Sequence, residues 1–198
     1  MSDRATRDIY DAQAQDYAKL TIHDPDRPEV HSFMAALKAG GRVLDLGCGP
    51  GQFAARMAQD GFDVEAWDAS EQMIALASQH TGVTAVQNTF DALQDASGYD
   101  GIFANFSLLH ARRAEVPRHI GQIARALNTG GVFHIGMKLG TGESRDAIGR
   151  HYCYFSEAEL MEMLTANGLH LIHRAHGCDM GLSGEMADWV SLQARKSG

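Results

Sequence analysis

From residue 41 onward the chain alternates short apolar runs with stripes of apolar residues at helical spacing. Val43-Leu44-Asp45-Leu46 reads as a buried strand, and Phe53, Ala54, Met57 and Ala58 mark one face of the helix behind it. Asp63 to Trp67, Val83 to Val86 and the run from Tyr99 repeat the strand pattern. Ile120, Ile123, Ala124 and Leu127 give another helix stripe, with Pro117 near its start. Ser156 with Glu159 forms a capping box for a helix bearing Leu160, Met163 and Leu164, which Asn167-Gly168 ends. Two further strands are expected at 169–175 and 186–195. Upstream, Val30, Phe33, Met34 and Leu37 form a stripe closed by Gly40 and Gly41, and Tyr10 and Tyr17 share one face of an amphipathic N-terminal segment. Alternation of this kind predicts a parallel sheet with helices on both faces, in an α/β fold without internal repeats.

The densest information lies at residues 42–51, where the first strand runs through Asp45 into Gly47-Cys48-Gly49-Pro50-Gly51. Gly47, Gly49 and Gly51 lack a Cβ, so a ligand can approach the backbone, and the following helix points its first amides at whatever binds. The second strand ends in Asp68, where an open parallel sheet sets an acidic side chain beside the glycine loop and a ribose can meet its carboxylate. Together these features indicate a nucleoside ligand. Glycine spacing of Gly-x-Gly-x-Gly departs from the Gly-x-Gly-x-x-Gly of a dinucleotide fold, and Asp45 has no evident task beside a pyrophosphate. Asp45 is instead placed to order the loop or to meet a ligand's ammonium group through water. Cys48, Ala69 and Met73 complete the candidate cofactor set around this loop and the second strand end.

On these residues the chain resembles the class I S-adenosylmethionine-dependent methyltransferases, whose first motif reads much like Val43 to Gly51 and whose acidic residue after the second strand looks like Asp68. Tyr99 to His110 is similar to the fourth strand and following loop of small methyltransferases of the tellurite-resistance type. Leu127-Asn128-Thr129-Gly130-Gly131 looks like the turn before the fifth strand, with Asn-Thr where the family commonly has Lys-Pro. The resemblance covers nearly the whole chain, most strongly 41–138. It implies a Rossmann-like, doubly wound, seven-stranded sheet, mostly parallel with an antiparallel last strand. It further implies one domain over 1–198, with N-terminal helices as lid and edge (1–40), a cofactor core (41–138) and a substrate loop with the last strands (139–198). S-adenosyl-L-methionine is the implied cofactor. By the same resemblance Thr89 and Phe90 would meet the adenine, Ala104 and Asn105 would pass beneath the methionine moiety, and Tyr10 and Tyr17 would belong to the lid. His110 would face the pocket floor and orient substrate, and Arg150 and Tyr152, on a loop at 145–155, would shape the acceptor site; these three are the candidate catalytic residues.

Composition narrows the partners. The 198 residues are 44% hydrophobic, enough to bury a core without disulfides or metal. Three cysteines, Cys48, Cys153 and Cys178, have no paired spacing, and no signal peptide or long apolar span is evident, so a reducing cytoplasm and no membrane are expected. A net charge of -8 without a basic block argues against nucleic acid and for a small-molecule acceptor. Metal spacing is absent from the ten histidines: His170 and His173, at an odd offset on a strand, are expected on opposite faces. Methyl transfer from a sulfonium needs chiefly in-line orientation, so the lack of a catalytic triad is compatible with an enzyme. A cofactor-binding module without turnover and, further off, a nicotinamide-dependent oxidoreductase are the alternatives. Oxygen, nitrogen, sulfur and the heavier chalcogens all stay open as the methylated atom, and so does the oligomeric state.

Overall fold

The computed structural model describes residues 3–19, 25–180, 184 and 186–198. Its elements run α1 (Arg4–Tyr17), α2 (Pro28–Ala35), β1 (Arg42–Leu46), α3 (Gln52–Gln59), β2 (Asp63–Asp68), α4 (Glu71–Ala77), β3 (Val83–Gln87), β4 (Tyr99–Asn105), α5 (Val116–Ala126), β5 (Leu127–Lys138), β6 (Glu143–Arg145), β7 (His151–Cys153), α6 (Glu157–Ala166), β8 (Leu169–Met180) and β9 (Met186–Lys196). Seven strands form one sheet in the order β3-β2-β1-β4-β5-β9-β8. Strands β1 to β5 pair in parallel, and β9 inserts antiparallel between β5 and β8. This is the expected seven-stranded Rossmann-like arrangement.

Side-chain alternation along each central strand feeds two cores. Leu44, Ile102 and Phe133 face the larger cluster with α5 and α6, whereas their neighbours Val43, Phe103 and Val132 face the smaller cluster with α2 and α3. Burial on both faces explains the near-continuous apolar runs of the sequence. Strand order reverses at β1, which lies between β2 and β4; the crevice beyond their C-terminal ends is where such sheets bind ligands. The capping box at Ser156 and Glu159 is formed, and Ser70 caps α4 through the Met73 amide.

Three local expectations change. Residues 145–155 are no free loop: β6 and β7 pair as an antiparallel hairpin, Glu143 opposite Cys153. Leu127 ends the α5 stripe as the first residue of β5, paired with Tyr99. Finally, a β-bulge between Leu171 and His173 places His170 opposite Arg195 and His173 opposite Gln193, so the two histidines share a face. No group of three or more His, Cys, Asp or Glu among the described residues is arranged to hold a metal.

Candidate functional site

The β1 strand delivers Asp45 and Leu46 to the crevice, and the chain then turns sharply through Gly47 (φ 74°) and Gly49 (φ 55°). The Gly47 and Cys48 amides both donate to the Trp67 carbonyl, at 2.7 and 2.9 Å, tying the turn to the end of β2. A Cβ on Gly47 would lie 2.3 Å from that of Ser107, so only glycine fits. Ser107 in turn donates its hydroxyl to the Leu46 carbonyl at 2.6 Å, fastening the loop after β4 to β1.

Two carboxylates face this turn. Asp68, at the end of β2, accepts the Gly49 and Ser70 amides, each at 2.9 Å, and burial raises its pKa against those hydrogen bonds. Asp45 is 2% exposed, and its Oδ2 has no hydrogen-bond partner. Burial, reinforced by the Asp68 charge, pushes its carboxyl up to about 8. An unpartnered buried oxygen is costly unless a ligand supplies the donor. Gly47, Cys48, Gly49, Ala69, Met73 and Phe90 join the two acids around a cleft of about 890 Å³.

Helix α1 forms the outer wall. Its Asp11 accepts the Ser70 hydroxyl at 2.5 Å, and His151 donates its amide to Thr6 Oγ1 at 2.8 Å. Tyr10 then meets two predicted residues at once: its hydroxyl lies 2.8 Å from His110 Nε2 and accepts from Arg150 Nη1 at 3.0 Å. His110 Nδ1 donates to the His151 carbonyl at 2.7 Å, which leaves Nε2 as the acceptor for the Tyr10 hydroxyl. Burial, with the nearby Arg150 charge, lowers His110 to about 3, so the ring is neutral at physiological pH.

A second chamber of about 740 Å³ opens from the first. Tyr10, Tyr17, Asn105 and His110 line both, while Arg150, Tyr152, Lys138 and Trp189 belong to the second alone. The sequence reading offered Arg150 as a cation for the acceptor, but the guanidinium is 2% exposed and held by Asp146 at 2.7 Å, with its remaining charge spread over the Tyr10 and Tyr152 rings. It positions Tyr10. Three predicted residues stand outside both linings. Gly51 caps α3 in the left-handed region (φ 86°), where a Cβ would meet Ala77 Cα at 2.9 Å, so its role is to let α3 and α4 pack. Ala104 is fully buried in the larger core, and Thr89 precedes the short 3-10 turn Phe90–Asp95, leaving its neighbour Asn88 to face the cleft.

Asn88, Lys138 and Trp189 were missed. Asn88 follows β3 directly, a strand-end position the sequence does signal; Lys138 and Trp189 are paired across β5 and β9 and reach the site only through the sheet order.

The sequence matches the family model described as "Methyltransferase domain" over residues 14–174. It is 37% identical over 98 residues to the Bacillus subtilis protein "Putative methyltransferase YqeM", covering 48% of this chain and 39% of that one. It is 27% identical over 126 residues to the "Probable S-adenosyl-L-methionine-dependent methyltransferase TehB" of Haemophilus influenzae, covering 61% and 44%. The chain thus spans about two fifths of the length of these relatives. Its fold superimposes on the crystal structure of Burkholderia thailandensis 1,6-didemethyltoxoflavin-N1-methyltransferase, bound to 1,6-didemethyltoxoflavin and S-adenosylhomocysteine, with a TM-score of 0.79 at 23% identity, covering 98% of this chain and 88% of that one.

Proposed function

The chain belongs to the methyltransferase-domain family, and from that premise we propose that it uses S-adenosylmethionine to methylate a small molecule held in the second chamber. The observation that carries this reading is the pair of chambers that share Tyr10, Tyr17, Asn105 and His110, one lined by Asp45, Asp68 and a glycine turn, the other by aromatic rings.

The residues present fit the cofactor. Asp68 has an oxygen lone pair left on each side after accepting two amides, which suits ribose hydroxyls. Asp45 Oδ2 lacks a donor, which suits an ammonium group. Gly47 brings bare backbone to the crevice, and Phe90 and Met73 offer apolar faces to a base. When bound, S-adenosylmethionine supplies a methyl group already activated on a sulfonium. The protein's part is orientation and exclusion of water: α1 covers the cleft, and Arg150 fixes Tyr10, which fixes His110. Held near 3, His110 is a weak base, so the site suits an acceptor that arrives ionised or with a readily lost proton.

Support for a small-molecule acceptor comes from the net charge of -8 and from the fold neighbour crystallised with 1,6-didemethyltoxoflavin. No helix among the described residues is long and apolar enough to cross a membrane. Cys48, Cys153 and Cys178 are free thiols, in keeping with a reducing cytoplasm. Calorimetric titration with S-adenosylhomocysteine and with NAD, followed by an acceptor screen, tests the reading. Tight binding of the first with methylation of at least one acceptor is expected. Tight binding with no turnover would favour a cofactor-binding module, and preference for NAD would refute the proposal.

A further inference from the structure

A line of buried polar side chains crosses from α2 to the site through β9, β5 and β4. It begins at backbone: the Gln193 amide nitrogen donates to the Glu29 carbonyl at 2.9 Å and to Ser32 Oγ at 2.8 Å. A carbonyl only accepts, so the nitrogen end of Gln193 is fixed toward α2. The same nitrogen lies 3.5 Å from His134 Nδ1 with both its hydrogens already given to Glu29 and Ser32, so a proton on Nδ1 would meet an amide nitrogen with no lone pair to offer, and the ring is better placed with its proton on Nε2. His134 Nε2 then donates to Asn105 Oδ1 at 3.1 Å. With its oxygen turned to His134, Asn105 keeps its NH2 group as the end not bound to the ring, and the residue lines both chambers and a small cavity beside Glu29 and Trp189. That nitrogen has no hydrogen bond to any described residue and is not fully buried.

The surroundings hold this arrangement. The His134 ring stacks on Phe103 at 4.2 Å and meets Phe33 edge-on at 6.2 Å. Burial lowers its pKa to about 3, so the ring stays neutral. A Cβ on Gly136 would lie 2.6 Å from Asn105 Oδ1, so the side chain packs there only over glycine. Immediately after Asn105, Phe106 adopts φ 54°, the one positive φ outside glycine among the described residues. Strain of that kind persists where the surroundings over-determine a position. In the second chamber Phe106 and Trp189 meet edge to face at 5.9 Å, walls suited to a flat ring.

We propose that His134 is a positioning residue that holds the Asn105 amide as a donor at the chamber junction, where it selects flat conjugated acceptors carrying a carbonyl or oxyanion oxygen. The place of the acceptor rests on the methyl-transfer reading above; the orientation of Asn105 does not. The probes are 4-quinolone and quinoline, the same bicycle with and without a ring carbonyl, titrated onto the full chain saturated with S-adenosylhomocysteine. Wild type binds 4-quinolone at least tenfold more tightly. Asn105→Leu and His134→Phe bring the ratio to within twofold, and His134→Gln, whose amide nitrogen takes the place of Nε2, restores part of it. Nitrogen-15 NMR of the wild-type histidines needs no variant to fold and shows His134 neutral, protonated on Nε2, from pH 5 to 8. A proton on Nδ1, equal affinity for the two probes in wild type, binding of neither, or undiminished preference in His134→Phe would overturn the inference. Failure of S-adenosylhomocysteine to bind wild type would bring down the methyl-transfer reading and the acceptor half with it, while the NMR result still decides the orientation.

Discussion

Replacing Asp45 with Asn separates stability from binding in a way that follows from the geometry. A carboxyl displaced from 3.8 to about 8 by burial and the Asp68 charge disfavours its ionised form by roughly 5 to 6 kcal/mol, at about 1.36 kcal/mol per unit. Because the folded pKa lies above the unfolded one, the stabilising contribution is complete below about pH 4 and is lost as pH rises toward 8. Near pH 7 about three units have been traversed, so the loss in wild type reaches an upper bound of about 4 kcal/mol. Asn cannot ionise and escapes that loss. The ligand-free Asp45→Asn protein therefore melts higher than wild type at pH 7, with the gap closing near pH 4. The ligand tells the opposite story. An ammonium group beside Asp45 favours the carboxylate, so binding expels the proton that the free protein holds at neutral pH. Calorimetry in buffers of different ionisation enthalpy shows proton release on binding S-adenosylhomocysteine to wild type, and none at this site in Asp45→Asn, with affinity reduced at least tenfold. A lower melting temperature for the variant at pH 7, a gap independent of pH, or unchanged affinity would refute the reasoning.

Other perturbations read other parts of the site. Asp68→Ala removes a charged acceptor worth roughly 1.5 to 3 kcal/mol and leaves the Gly49 and Ser70 amides unpaired; titration shows S-adenosylhomocysteine binding weakened by about ten- to a hundredfold, and unaltered affinity would contradict it. Gly47→Ala forces a Cβ against Ser107 at φ 74°; the sum of left-handed strain and overpacking is roughly 2 to 5 kcal/mol, read as a lower urea midpoint, and a wild-type midpoint would rule out the close approach. Deleting residues 1–20 takes away Tyr10 and the rest of α1, so turnover falls and cofactor exchange quickens in stopped-flow; equal kinetics would show that α1 is no lid. Arg150→Met unpairs the buried Asp146 carboxylate and costs on the order of 3 to 5 kcal/mol, against little change in melting temperature if the pair is dispensable.

The parts of this molecule legible in its sequence are those written locally. Asp45, the glycine turn and Asp68 sit at strand ends whose apolar runs announce themselves, and one crossover brings β1 and β2 side by side. The capping box at Ser156 was readable because both partners lie within one turn. What stayed hidden depends on distant partners. Arg150 looked like a free cation until the β6–β7 hairpin buried it against Asp146 and Tyr10. Gly51 carries the same spacing signal as Gly47, and only its closeness to Ala77 shows that it serves packing. His134 reads in sequence as one more residue of an apolar strand; its link to Asn105 appears when β4 and β5 are set in register. An extra residue at Ile172 reversed the facing expected for His170 and His173, since a bulge leaves no period-two trace.

Central to the proposed function is the grip of the two strand ends on a nucleoside, with the reacting centre turned toward the second chamber. A crystal structure with S-adenosylhomocysteine tests it most directly. The account predicts the ribose hydroxyls within hydrogen-bond reach of Asp68, the amino group at Asp45, and the sulfur facing the junction at Asn105 and His110. A nucleoside bound elsewhere, or Asp68 turned away from it, would contradict the account.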